Sequence, residues 1–198
     1  CLSLNLTDAL TGDTELTRDD LMRICDMPAG PVDTSKYRYV FSGCDWGGSD
    51  YNPGLGTKAS TTVHVMIGIT SMGQLEIIHL RRYTGMHYEV IISHIIADHQ
   101  RLNGHAFATD YGVGMYYNSK IREHVPEGKH LIFLYVGPLS ALVSEPKSEH
   151  PYNLWTLNKS ESISLTYEAL KSGRIKCYDW NFAGEYLLDC LNMYRAPG

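Results

Sequence analysis

The amino-acid sequence predicts an α/β fold around a central mixed sheet of five strands, three antiparallel and then two parallel, with helices flanking it. Three observations predict this. Three apolar, β-branched runs, "YRYVFSGC", "STTVHVMIGI" and "QLEIIHLRRY", follow one another over short links, as antiparallel neighbours do. A stretch of helical period then separates them from the apolar run "HAFATD", and a connection of that length lets a strand return parallel to the first. Finally, "HLIFLYVG" lacks polar alternation, the pattern of a strand covered on both faces.

The elements follow in order. Residues 1–34 are polar, end in the breaker "PAGP", and read as an N-terminal arm or linker from a preceding domain. Their one helix signal is Thr17 followed by Asp20, a capping arrangement opening "TRDDLMRIC". Residues 35–198 read as the main domain. The glycine-containing "TSMG" supplies the tight turn between the second and third strands. In "MHYEVIISHIIADHQRLNG", Val90, Ile91, Ile95 and Leu102 recur at helical spacing, Ile92 and Ile96 widen the apolar face, and Gly104 stands where a helix would stop. "YGVGMYYNSKIREHV" holds a second helix, and "SEPKSEHPY" is a loop by its proline and charge content. "NKSESISLTYEALKSG" is a helix with Asn158 as N-cap, Glu161 three residues on and Gly173 at its end, and "FAGEYLLDCLNMY" closes the chain as an amphipathic helix.

Composition sets outer bounds. The chain has 198 residues, 43% of them hydrophobic and 20% charged, enough for one good core. Its longest apolar runs fall well short of the roughly 18 to 20 residues that span a bilayer, so no membrane role is expected. The N-terminal "CLSLNLTDALTGD" has neither the basic head nor the apolar core of a secretion signal and reads as a piece of a longer chain. Five cysteines, at positions 1, 25, 44, 177 and 190, are scattered and never form a C-x-x-C pair, which predicts a reducing, cytosolic setting without a structural zinc finger. A net charge of −5 argues against nucleic-acid binding unless the acids concentrate at a metal site and neighbouring domains meet the phosphates.

The first strand ends on Asp45 in "FSGCDWGG", and the fourth ends on Asp110 in "ATDYGVG". An aspartate in that position often simply starts a turn. Two such aspartates on parallel neighbouring strands, however, end on the same edge of the sheet, with strand axes about 4.8 Å apart. Carboxylates that close repel each other, and a divalent cation that prefers oxygen relieves the repulsion; magnesium or manganese binds through one or two carboxylates plus phosphate oxygens. Gly47, Gly48, Gly112 and Gly114 then let the backbone turn away and leave room for a phosphodiester.

These motifs resemble the first and second acidic motifs of the RNase H-like nuclease domain of tailed-phage terminase large subunits. "ELTRDDLMRIC" and "NLWTLNKSESISLTYEALKSGRI" resemble its flanking parts, so the likeness covers most of the chain. The resemblance implies an RNase H-like fold and an endonuclease that cuts concatemeric viral DNA, leaving a 3′-hydroxyl and a 5′-phosphate. It places Asp45 as the acid bridging two Mg2+ or Mn2+ ions about 3.5 to 4 Å apart, and Asp110 as the second ligand. It also implies double-stranded DNA, a portal protein and a terminase small subunit as partners, in the host cytoplasm and transiently at the procapsid portal. The family carries a third acid on a late helix. Asp179, Glu185 and Asp189 are the available candidates, none in a matching context, and the expected place of that acid is beyond Gly198.

Other features weigh less. "GLGTKAST" departs from a phosphate loop at Thr57 and Ala59, which leaves Lys58 as a loop lysine near DNA at most. Among nine histidines, His94 and His99 lie five apart and do not share a helix face as a ligand pair would. Arg81, Arg82, Lys120 and Arg122 are candidates for a basic rim, and Trp46 for a brace behind Asp45. Competing readings are a resolvase or transposase of the same fold, an actin-like nucleotide phosphatase, which needs two phosphate loops where one degenerate loop is found, and a catalytically silent DNA- or portal-docking module.

Overall fold

The computed structural model describes residues 16–47, 61–112, 115–137, 141–144, 154–188 and 191. Gly48, Lys58, Gly114 and Asp189 lie outside the described residues, as do 54–60 of the degenerate loop.

Strands β1 (Tyr37–Asp45), β2 (Thr62–Thr70) and β3 (Leu75–Tyr83) form the antiparallel half of the sheet. Gly73, at φ +83°, takes the left-handed position that the turn between β2 and β3 requires. Helix α2 (Tyr88–Arg101) crosses over, and β4 (Ala106–Asp110) returns parallel to β1. Helix α3 (Met115–Arg122) repeats the move, bringing β5 (His130–Val136) parallel to β4.

The sheet then continues beyond the five strands expected from sequence. β6 (Val143–Ser144), β7 (Leu154–Asn158) and β8 (Ile175–Lys176) extend it to eight, in the order β6-β7-β5-β4-β1-β2-β3-β8. The reason for the shortfall is physical. β6 and β8 are two residues long, too short to carry a period, and β7 runs directly into Asn158, so its apolar residues read as the approach to a helix.

The remaining helices are α1 (Arg18–Ile24), α4 (Lys159–Lys171) and α5 (Trp180–Leu187). Their ends follow local chemistry. Thr17 Oγ1 accepts from the Asp20 amide at 3.1 Å while Asp20 Oδ2 accepts from the Thr17 amide at 2.9 Å, a closed capping box. Asn158 Oδ1 accepts from the Glu161 amide at 3.2 Å, and Gly173, at φ +70°, ends α4. At the end of α2 the left-handed residue is Asn103, at φ 54°, rather than Gly104. Gly104 serves space instead, since a Cβ there would run into the His99 ring.

Helices cover both faces of the sheet. On one, Leu21 and Ile24 of α1 pack with Ala169 and Leu170 of α4 and Ala183 and Leu187 of α5 over Ile77 and Leu80. Both α1 residues are fully buried, so the end of the expected arm is built into this core. On the other face, Ile91, Ile92, Ile95 and Ile96 of α2 and Tyr117 and Ile121 of α3 cover Cys44, Tyr83 and Phe107. Removing a fully buried side chain such as Ile95 costs about 2–5 kcal/mol. Val90, expected on this buried stripe, is 44% exposed, because it lies on the side of Ile91 away from Ile92, Ile95 and Ile96 and so nearly opposite the centre of the stripe. β5 also departs from expectation. His130 and Ile132 are buried, but Leu134 and Tyr135 are exposed where the strand reaches the sheet's rim. Among the described residues no helix is long and apolar enough to cross a membrane.

Candidate functional site

The register of the parallel pair positions the site. Cys44 lies opposite Thr109, so the next residues, Asp45 and Asp110, end neighbouring strands on one edge of the sheet. Asp110 in turn lies opposite Phe133 of β5, and Lys159 opens α4 where β7 reaches the same edge. Asp45 reaches solvent and Asp110 is half-buried.

The electrostatics reflect this convergence. Partial burial, then the negative charge of Asp110, raise the Asp45 carboxyl above its ordinary value, and Lys159 pulls it partly back. Partial burial, then Asp110 and Asp45, raise the Tyr135 phenol as well. Four side chains from four elements therefore share one field. The two carboxylates repel, and a cation between them would remove the penalty.

The turns behind the acids are tied together. Asp110 Oδ1 accepts from the Gly112 amide at 2.7 Å, the turn-forming role open to any aspartate at a strand end. A Cβ on Gly112 would stand 3.2 Å from that same oxygen, so a side chain there would press on the carboxylate. The Gly47 amide donates to Thr62 Oγ1 at 3.0 Å. Asn118, 1% exposed on α3, donates from Nδ2 to the Asp110 carbonyl at 2.8 Å, and its Oδ1 accepts from Trp46 Nε1 at 3.4 Å. Trp46 also stacks on Tyr117, with ring centroids 4.7 Å apart. One buried amide thus links the residue after Asp45 to the backbone of Asp110. The bracing role expected of Trp46 has this structural form, while Asn118 carries no motif that sequence reading could have singled out.

Other candidates do not join the pair. Asp179 caps α5, its Oδ1 accepting from the Asn181 amide at 3.1 Å, and it follows β8, three strand spacings from β1 or roughly 14 Å. Glu185 is exposed on α5. Of the expected basic rim, Arg81 Nη1 stands 3.7 Å from Asp98, Arg82 lies 5.2 Å over the Tyr186 ring, and Lys120 pairs with Glu123 at 2.9 Å. The lysine beside the acids is Lys159. Sequence reading missed it because recognising its position requires β7.

His94, half-buried, stacks on Tyr83, and buried His99 bonds Ser42 Oγ through Nδ1 at 2.8 Å, ordinary structural roles for histidines. A different set, His64, His79 and Asp98, brings its ligating atoms within 4.8 Å of one another, a convergence invisible in sequence because each residue comes from a separate element.

No protein-family model matches the chain, and no curated protein matches it. Solved structures similar to it include the crystal structure of the large terminase nuclease from thermophilic phage G20c, at 12% identity over 81% of this chain and 75% of that one, with a TM-score of 0.42.

Proposed function

We propose that this chain is the metal-dependent DNA endonuclease domain of a viral DNA-packaging terminase, cutting concatemeric genomic DNA by two-metal phosphodiester hydrolysis. The observation that carries the reading is the level placement of Asp45 and Asp110 at adjacent ends of β1 and β4. The donor set fits a hard divalent ion: two carboxylates close enough to raise the proton affinity of Asp45, one of them open to solvent. Asp45 and Asp110 would hold Mg2+ or Mn2+, which would supply positive charge for the phosphodiester and lower the pKa of a bound water.

The chain's own residues do the rest. Lys159, in the first turn of α4, where the helix dipole also favours anions, is set to meet a DNA phosphate. Tyr135 keeps its phenolic proton at neutral pH and so has a hydrogen to donate to a phosphate oxygen. Asn118 and Trp46 hold the two acid-bearing turns in register, so that the carboxylates are placed before DNA arrives. With a net charge of −5, most phosphate contacts fall to neighbouring domains. Double-stranded DNA, the portal protein and the terminase small subunit are the proposed partners, and the host cytoplasm and procapsid portal the proposed place of action.

The test is a manganese titration on supercoiled plasmid with the parent, Asp45→Asn and Asp110→Asn proteins side by side. Nicking and linearisation by the parent, with loss of about 10² or more in either variant, is the expected result. Cutting that survives both substitutions refutes the site. No cutting by a parent that nevertheless binds DNA favours the silent docking module.

A further inference from the structure

A second cluster lies deeper in the sheet, where His64 stands opposite Cys44, the residue before Asp45. His64 on β2 is fully buried, and among the described residues neither of its ring nitrogens has a hydrogen-bond partner. His79 on β3 and Asp98 on α2 face it. His79 Nε2 and Asp98 Oδ2 approach to 3.2 Å as an ion-pair contact but without hydrogen-bond geometry, so among the described residues both atoms are buried without a hydrogen-bond partner. Buried polar atoms without a hydrogen bond are costly, and natural proteins rarely gather several in one place without a partner for them.

We propose that His64, His79 and Asp98 form a buried site for one divalent transition-metal ion of the zinc class, which ties α2 to β2 and β3. The donor chemistry decides the class. Two imidazoles and a carboxylate suit zinc and its neighbours, whereas magnesium takes oxygen ligands and keeps its waters. Charge points the same way. Arg101 Nη2 holds Asp98 Oδ1 at 2.8 Å and Arg81 stands 3.7 Å from Oδ2, so two guanidiniums outweigh the one carboxylate, a hard ion gains nothing from charge, and nitrogen donors must carry the affinity.

The geometry requires a modest contraction. Tetrahedral zinc with Zn–N bonds of about 2.0–2.1 Å spaces its ligands roughly 3.3 Å apart, against the 4.8 Å limit within which these atoms lie. The His64 ring is held flat against Phe107, 5.9 Å between centroids and 6° between planes, and stands 5.1 Å from the His79 ring. His79 and Arg101 also line a surface cavity of about 310 Å³ with Val32, Leu102, Tyr178 and Phe182, so one member of the cluster borders a space open to solvent.

This site is independent of the nuclease reading, and its test removes the acid pair first. The full chain carrying Asp45→Asn and Asp110→Asn is stripped with chelator and titrated with Zn2+ and with Co2+. We expect one equivalent of metal by mass spectrometry of the native protein, visible Co2+ ligand-field absorption without a thiolate charge-transfer band, and a Tm rise of about 5–10 °C at a hundredfold excess over Kd. His64→Phe, which keeps the stack on Phe107, and Asp98→Asn, which keeps the shape, each abolish all three signals. Should His64→Phe fail to fold, Asp98→Asn alone decides. No stoichiometric binding by the unsubstituted cluster overturns the proposal. So does binding that survives Asp98→Asn, or a thiolate band indicating cysteine ligands.

Discussion

Replacing Asp45 by asparagine should stabilise the metal-free protein while destroying its response to manganese. The two carboxylates end adjacent strands whose axes lie about 4.8 Å apart. Unit charges about 5 Å apart repel by about 0.8 kcal/mol at the dielectric of water and about 3 kcal/mol at an effective dielectric of 20. Asp45 reaches solvent and Lys159 offsets part of the repulsion, so the value belongs near the lower limit, about 0.5–1 kcal/mol. For a chain of this length that is a Tm gain of about 1–4 °C.

The sign with pH follows from linkage. A carboxyl whose folded pKa is raised holds its proton more tightly folded than unfolded. The parent therefore loses stability as pH rises from the unfolded value of 3.8 through the higher folded one, and the loss stays constant above it. Calorimetric melts of parent and Asp45→Asn in chelator should coincide below that range and separate above it. Adding Mn2+ at a hundredfold excess over Kd should stabilise the parent by about 2.7 kcal/mol and the variant by little. An Asp45→Asn protein less stable than the parent in chelator at pH 7, or one with the parent's manganese shift, would refute the reasoning.

Three further outcomes are expected. Asn118→Ala strips the Asp110 carbonyl and the Trp46 indole of a shared buried partner, so it should cost about 1–3 kcal/mol in denaturant melts and slow plasmid cleavage, whereas unchanged cleavage would mean that Asn118 does not position the acids. Gly68→Ala drives a Cβ into the Tyr37 ring, which is buried and bonded through its hydroxyl to Glu76 Oε2 at 2.6 Å; a loss of about 1–3 kcal/mol is expected, and a neutral Tm would show that the ring moves freely. His130 is buried and neutral, its pKa lowered from 6.5 to about 4 by burial and then by Arg122, so its contribution is full above 6.5 and is lost as pH falls toward 4, by up to about 3 kcal/mol. His130→Gln should flatten that part of the stability profile, and an unchanged slope between pH 6.5 and 4 would exclude it.

How far the fold and site were legible depended on whether the signal was local. The capping box at Thr17, the N-cap at Asn158 and the turn at Gly73 are written within four residues each, and each stands in the structure as read. The adjacency of β1 and β4 was also legible, because a long helical crossover leaves few ways for the next strand to return. β6 and β8 were not, since a two-residue strand exists only through its partner. Lys159 went unseen for the same reason: its place beside the acids comes from β7 pairing with β5, a contact with no local trace. The histidine and aspartate cluster is the extreme case, with His64 and His79 facing each other from two strands while Asp98 descends from a helix above. Trp46 was legible as a neighbour of Asp45, but its partner Asn118 is an ordinary polar residue until α3 places it.

The topology explains why the acids stand where they do. From β1 the chain runs through β2 and β3 to one side of the sheet, and β4, β5 and β7 build out to the other. The strand order therefore reverses between β1 and β4, the point at which open α/β sheets place their ligands. Asp45 and Asp110 end together at that point because Cys44 is level with Thr109. A one-residue slip of β4 would turn the Asp110 side chain to the other face and separate the pair. The link from Trp46 through Asn118 to the Asp110 carbonyl joins the ends of the same two strands and opposes such a slip, so the residues that support the acids also fix the strand register on which their pairing depends.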